Sequence, residues 1–220
     1  MHIKPTTLQV LTFIGLPASM VGILSCSDDT YTYPPVTTDL VCVRTDGSAR
    51  ATTIITDNGC TLNITNPIAT PTPDTIYRCL AIYSTEQSSA TLYSLSNVFS
   101  PTPILHEELA RYTTDPVKFI SAWYSGGYLN LDIGIPTTLN NGHAFAFSQD
   151  SITEDNKGIR TLHISLVHEA PPDDPPSFTE ETYMSIPMYV YSDFLTENDS
   201  VKFRINTTEG WKEIGYKFAW

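Results

Sequence analysis

Positive charge is scarce in this chain. Twelve Lys and Arg stand against 24 Asp and Glu in 220 residues, a formal net charge of −12, and affinity for phosphate backbones is carried largely by Lys and Arg displacing counterions. Nucleic acid is therefore excluded as a partner. Charged residues of either sign make up only 16%, whereas hydrophobic residues at 41% and aromatics at 11% are enough to fill a core and too many for a disordered chain. No Gly-x-Ser-x-Gly turn occurs, which removes the usual nucleophile elbow of a serine hydrolase. There is no internal repeat and no uninterrupted apolar run long enough for a permanent membrane span, which needs about 20 residues.

What the first thirty residues do contain is an export pattern. Leu8 to Leu24 is mostly apolar but broken by Gln9, Thr12, Pro17 and Ser19, too impure for a span and suited to a signal-peptide core. It ends Ile23-Leu24-Ser25-Cys26. Large aliphatics, a small residue and then Cys resemble the bacterial lipobox, so residues 1–25 read as a lipoprotein signal peptide and Cys26 as the lipidated mature N-terminus. Thioether-linked diacylglycerol plus an N-acyl chain such as palmitate would hold the protein to a membrane, since each buried CH₂ contributes about 0.8 kcal/mol and two chains or more give stable anchoring. Ser27-Asp28-Asp29 looks like a surface-export signal of Bacteroides-type lipoproteins, and residues 26–36, with Pro34-Pro35, read as an acidic, stiff tether.

The other cysteines, Cys42, Cys60 and Cys79, are odd in number, so at least one thiol is unpaired. Cys42 and Cys79 sit in apolar strand-like runs with no neighbouring His, and both read as small buried hydrophobes. Their spacings match no zinc pattern.

From residue 37 onward, runs rich in Thr, Val, Ile, Tyr and Phe alternate with turn chemistry such as Asp57-Asn58-Gly59, Ser125-Gly126-Gly127 and Asn156-Lys157-Gly158. That is the signature of an all-β protein. Residues 37–110 carry strands near Leu40–Arg44, Arg50–Thr56, Tyr77–Ser84 and Ala90–Leu95, which suit a small OB-like barrel. Residues 111–220 carry strands at Val117–Trp123, Tyr128–Ile135, His143–Gln149, Arg160–Glu169, Ser185–Tyr191, Val201–Asn206 and Trp211–Trp220, which suit an antiparallel β-sandwich. The one helix-like stretch, His106–Tyr112, is only a connector. Alternation places Leu129, Leu131, Ile133 and Ile135 on one face and Tyr128, Asn130 and Asp132 on the other, so this strand reads as half-buried, as does Val201–Asn206. Ile214, Tyr216, Phe218 and Trp220 share a face that truncation would strip from the core.

The family resemblance rests on several of these segments in order: the lipobox followed by Asp, Val43-Arg44-Thr45-Asp46-Gly47, Asp57-Asn58-Gly59-Cys60-Thr61-Leu62, Arg78-Cys79-Leu80-Ala81-Ile82-Tyr83, residues 115–131, and Asp199-Ser200-Val201-Lys202-Phe203-Arg204-Ile205. Together they resemble the NigD-like lipoproteins of Bacteroides-type bacteria. The resemblance implies an N-terminal OB-like domain and a C-terminal β-sandwich, and it implies no reaction and no catalytic residues. Pro-rich insertions and Cys60 in a turn depart from the family's usual pattern.

Candidate chemistry is sparse. His163 and His168 are five apart in one strand and point to opposite faces, so they cannot share an ion; His143 and His106 read as turn and connector residues. Asp173/Asp174 and Glu180/Glu181 are adjacent pairs rather than two carboxyl groups held across a groove, and they lack the spaced ligands of a Ca²⁺ loop. No catalytic residue, metal or cofactor is assigned. In residues 37–110, three Arg and no Lys face seven Asp and Glu, so the barrel has no basic groove. Trp123, Tyr124 and Tyr128 flank the Ser125-Gly126-Gly127 turn and are the candidate contacts for a sugar or a protein partner. Asp74-Thr75-Ile76, Asp150-Ser151-Ile152 and Asp199-Ser200-Val201 look like O-glycosylation acceptors of exported Bacteroides-type proteins, which makes Thr75, Ser151 and Ser200 candidate modification sites.

The expectation is a non-catalytic, lipid-anchored protein of the outer membrane facing the cell exterior, held to the membrane through acylated Cys26. It would serve as a binding or assembly module for an extracellular glycan or protein partner. The alternatives are an enzyme acting on extracellular glycan and a periplasm-facing envelope or immunity-type factor.

Overall fold

The computed structural model describes residues 35–138, 142–171 and 176–219. Cys26, the tether up to residue 34, Asp173/Asp174 and Trp220 lie outside them. Thirteen strands and two single 3₁₀ turns make up the regular structure of the described residues, and no helix among them is long and apolar enough to cross a membrane.

The first five strands, β1 (Val36–Thr45), β2 (Ala51–Thr56), β3 (Thr61–Ile64), β4 (Ile76–Glu86) and β5 (Ser89–Asn97), close into a barrel in the order β1-β2-β3-β5-β4. All contacts are antiparallel except the short β3–β5 seam, the order and polarity of an OB-like Greek-key barrel. Its interior is filled from alternate positions: Val41 and Val43, Ile54, Leu62 and Ile64, Cys79, Ala81 and Tyr83, Ala90 and Leu92. Ala51, Cys79, Ala81 and Ala90 alternate with larger side chains because five strands leave a narrow lumen. The Pro-rich segment between β3 and β4 is tied to the barrel's end by Ala51 N–H to the Ile68 carbonyl and Thr70 N–H to that of Ala49. Proline's missing N–H costs nothing in such a loop, and its fixed φ keeps the loop stiff.

The remaining strands are β6 (Ile104–Leu105), β7 (Lys118–Ser125), β8 (Tyr128–Thr137), β9 (Ala144–Glu154), β10 (Arg160–Glu169), β11 (Phe178–Pro187), β12 (Ser200–Thr207) and β13 (Gly210–Lys217). They form a sandwich of a five-stranded sheet, β13-β12-β10-β9-β6, on a three-stranded sheet, β11-β8-β7. Leu129, Leu131 and Ile133 of β8 interdigitate with Phe147, Leu162, Ile164, Val201, Phe203 and Ile205. Both sheets thus give one face to the core.

Several expectations are corrected here. β8 is buried on both faces: Tyr128, Asn130 and Asp132 are buried along with the leucines between them. The barrel and the flanking side chains cover that polar face. β11 begins at Phe178 and ends at Pro187, so Glu180 and Glu181 belong to a strand, while Tyr189–Tyr191 forms a 3₁₀ turn. Thr and aromatic residues outweigh the two glutamates there because Glu180 and Glu181 are solvent-exposed. β3 was hidden by its brevity, and the connector is a single turn over His106–Glu108. β6, upstream of residue 111, pairs with β9 in the sandwich. Cys79 is fully buried, and burial pushes its thiol up to about 12. Cys42 instead faces out of the barrel, where its S–H donates to the Tyr128 hydroxyl at 3.4 Å. Both thiols and the exposed Cys60 are free.

At the C-terminus Phe218 is 1% exposed, and its N–H donates to the Asp199 carbonyl. Phe218→Ala is expected to cost about 3–5 kcal/mol, the usual range for removing a buried aromatic ring. Urea denaturation measures it, and a loss below about 1 kcal/mol would mean that the last strand is not part of the core.

Candidate functional site

Where barrel meets sandwich, two glycine-containing turns interlock. In the β2–β3 turn, Gly59 N–H donates to the Thr56 carbonyl and Cys60 N–H to Asn58 Oδ1, which leaves Asp57 projecting from the barrel. In the β7–β8 hairpin, Gly126 and Gly127 have φ of 59° and 78°, the left-handed pair a two-residue hairpin needs. A Cβ on Gly126 would lie 2.3 Å from Asp57 Oδ1, so glycine is required there by close approach as well as by φ.

Asp57 is held by Arg78, whose alternation on β4 sends it out of the barrel beside inward-facing Cys79. The guanidinium is 2.5 and 2.8 Å from the two Asp57 oxygens, donates to Asn130 Oδ1 at 3.0 Å and to Ser185 Oγ at 3.3 Å, and lies 4.3 Å above the Tyr128 ring. Ser125 donates to Asp57 at 2.5 Å, Asn130 Nδ2 donates to Ser125 Oγ at 3.0 Å, and Ser185 donates to Asn130 Oδ1 at 2.7 Å. The ring of contacts is closed: a barrel ion pair is inserted into three polar side chains of the sandwich. Burial pulls the Arg78 pKa down, but Asp57 more than restores it. Arg78 thus stays charged, with four of its five N–H donors engaged.

Beside this ring runs a groove of about 430 Å³, walled by Thr38, Asp39 and Leu40 of β1 and Asp57 on one side and by Trp123 and Tyr183 on the other. Trp123 and Tyr183 meet edge to face, 6.4 Å apart at 79°. Asp132, the cross-strand neighbour of Tyr183 on the same sheet face, is 9% exposed and its Oδ1 has no hydrogen-bond partner. Burial and then Glu181 raise its pKa.

The three aromatic candidates go to different places. Trp123 lines the groove. The Tyr124 hydroxyl donates to the Ala219 carbonyl, its ring packs on the sandwich core, and burial pushes its pKa up to about 12. Tyr128 is buried under Arg78, with Tyr189 against its ring. The candidate modification sites differ in the same way. Ile76 and Ile152 are exposed beside Thr75 and Ser151, whereas Ser200 lies between Asp199 and Val201, both buried. Sequence reading missed Arg78, Asp57, Asn130, Ser185, Asp39 and Tyr183 as a group, because strand pairing rather than spacing brings them together.

A second cluster lies at the sandwich end. His168 donates from Nδ1 to the Asp115 carbonyl at 2.9 Å, which leaves Nε2 to accept from His143 Nδ1 at 2.9 Å; His143 Nε2 then accepts from Thr137 Oγ1 at 3.1 Å. His168 therefore pairs with His143, just before β9, while His163 bonds to Thr153. Pro116, Pro136, Pro171 and Pro176 line the adjoining pocket of about 440 Å³. No group of three metal-ligating side chains occurs among the described residues. Burial lowers the His168 pKa, the Asp115 carbonyl opposes it and His143 adds to it. A base with a depressed folded pKa binds fewer protons folded than unfolded, so stability is lost as pH falls below the unfolded value of about 6.5. The urea midpoint is expected to drop between pH 7.5 and 5.5, and more weakly in His168→Gln; equal slopes would remove His168 as the cause.

The profile of the NigD-like C-terminal β-sandwich domain matches residues 100–218. A NigD-like immunity protein from Bacteroides caccae is 26% identical, with 85% of this chain and 94% of that one aligned at a TM-score of 0.61. A candidate toxin-related protein from Parabacteroides distasonis is 18% identical over 84% and 93% of the chains at 0.65, and a candidate lipoprotein from Bacteroides fragilis is 14% identical over 83% and 97% at 0.55. Among curated proteins nothing matches. The sandwich core, the barrel that precedes it and the family profile over more than half the sequence agree: the chain belongs to the NigD-like family.

Proposed function

We propose that this protein is a non-catalytic, lipid-anchored binding module of the outer membrane, facing the cell exterior, that holds an extracellular ligand or protein partner in the groove between barrel and sandwich. The observation that carries the reading is the groove itself: an aromatic pair facing Asp39 and Asp57, mounted on a junction that the Arg78 ring makes rigid. Preorganised aromatic walls are what a binding surface needs, because little conformational freedom remains to be lost. Support for a non-catalytic role comes from the state of the buried groups. Asp57 is neutralised by Arg78, and Ser125 donates to a carboxylate instead of an imidazole, so neither has the partner that would make it a base or a nucleophile. The anchor rests on the lipobox at Cys26 and on the likeness to a candidate lipoprotein.

A second reading, an immunity-type factor, is favoured by the 26% identity to a solved NigD-like immunity protein. It changes the partner, not the kind of activity: the groove would then hold a secreted polypeptide toxin.

Affinity capture of the acylated protein from its own membranes, repeated with Trp123→Ala, tests the proposal. The expected result is an acylated Cys26 in the N-terminal peptide and a partner retained at least tenfold less by Trp123→Ala at unchanged fold. An unmodified Cys26 would remove the anchor, and identical captured sets would remove the groove. A toxin among the captured proteins would select the immunity-type reading.

A further inference from the structure

We infer that the sheet face bordering the groove, where Asp132 lies next to the lining residue Tyr183 and outside the lining itself, takes a basic side chain, lysine or arginine, from a partner polypeptide, with Asp132 as the anion that receives it; this rests on the reading of the groove as the binding site. The buried and half-buried aspartates of the described chain are otherwise provided for. Asp57 has Arg78 and Ser125, Asp115 accepts from Ala170 N–H, Asp150 from Ser148 and Ser165, and Asp199 from the N–H groups of Arg160 and Thr196. Asp132 is the exception, with 9% exposure and no hydrogen bond or ion pair among the described residues. Burying a carboxylate with nothing to satisfy it is among the more costly things a fold can do. Stability gives no reason for it.

The surroundings of Asp132 fit a cation. Strand alternation puts it on the same sheet face as Trp123, Asn130 and Tyr183, between Ser121 of β7 and Tyr183 of β11. Glu181, two residues before Tyr183, adds a second unpaired carboxylate along that face, and Asp39 stands on the opposite wall of the groove. Lys118, whose stem passes over the Gly134 position, forms no ion pair with either acid. Trp123 and Tyr183 supply aromatic faces on which a guanidinium or ammonium can rest. A neutral glycan would leave Asp132 as unsatisfied as before. The net charge of −12 would also steer a basic partner toward the surface.

The test uses the full chain and two peptides, Gly-Gly-Arg-Gly-Gly and its counterpart with uncharged citrulline in place of arginine, titrated by calorimetry, with spermidine as a small-amine control. The arginine peptide is expected to bind at least tenfold more tightly than the citrulline peptide. Asp132→Asn should remove that preference while raising the melting temperature, because the substitution relieves an unpaired buried carboxylate. Equal binding of the two peptides, no binding of either, binding of spermidine alone, or an Asp132→Asn variant that binds normally or melts lower would each overturn the inference. Loss of partner capture in Trp123→Ala with full retention in Asp132→Asn would keep the groove and discard the cation.

Discussion

The ion pair between Arg78 and Asp57 is made entirely within the barrel, yet almost everything around it belongs to the sandwich. Asn130 and Ser185 accept two further guanidinium donors, Ser125 donates to the second Asp57 oxygen, and Tyr128 covers the plane. Removing one member of a buried pair of this kind costs about 3–5 kcal/mol, because the other is left charged and dry. That is a large part of the 5–15 kcal/mol that holds a typical domain folded. The geometry of the junction follows from it: β8 is buried on both faces, Gly126 has no room for a side chain, and the two domains meet at one fixed angle.

A fixed angle is what gives the groove its shape. Its walls come from β1 and the β2–β3 turn on one side and from β7 and β11 on the other, so any hinge at the junction would open or close it. The outer face of the three-stranded sheet therefore has two jobs on adjacent rows. One row gives Asn130 and Ser185 to the closed polar ring; the next, Ser121-Asp132-Tyr183, presents an acid that nothing among the described residues satisfies. Polar satisfaction thus separates the barrel's structural carboxylate, Asp57, which this sheet's polar side chains help to satisfy, from a candidate binding carboxylate on the sheet itself.

Much of the fold was legible in the sequence because period-two alternation survives wherever one strand face meets water. Val201–Asn206 reads correctly for that reason: Lys202 and Arg204 are exposed and the residues between them buried. The same logic failed at β8, whose polar residues alternate just as cleanly but face another domain. Alternation distinguishes two faces without saying what covers them. β11 was misplaced because Glu180 and Glu181 suggested a loop, although Thr, Tyr and Phe around them favour a strand. The site was less legible than the fold. Trp123 could be found beside its glycine turn, but Arg78 and Asp57 are 21 residues apart and Arg78 and Ser185 are 107 apart, separations that only strand pairing and domain docking convert into contact. An arginine inside an apolar strand, Tyr77-Arg78-Cys79-Leu80, was the available signal.

Differential scanning calorimetry of the full chain and of Arg78→Ala tests the account at its centre. If the guanidinium couples the barrel to the sandwich, the native protein melts in one cooperative transition and the variant in two, the barrel separating from a sandwich that unfolds by itself. A variant that still melts in a single transition at the native temperature would contradict the account.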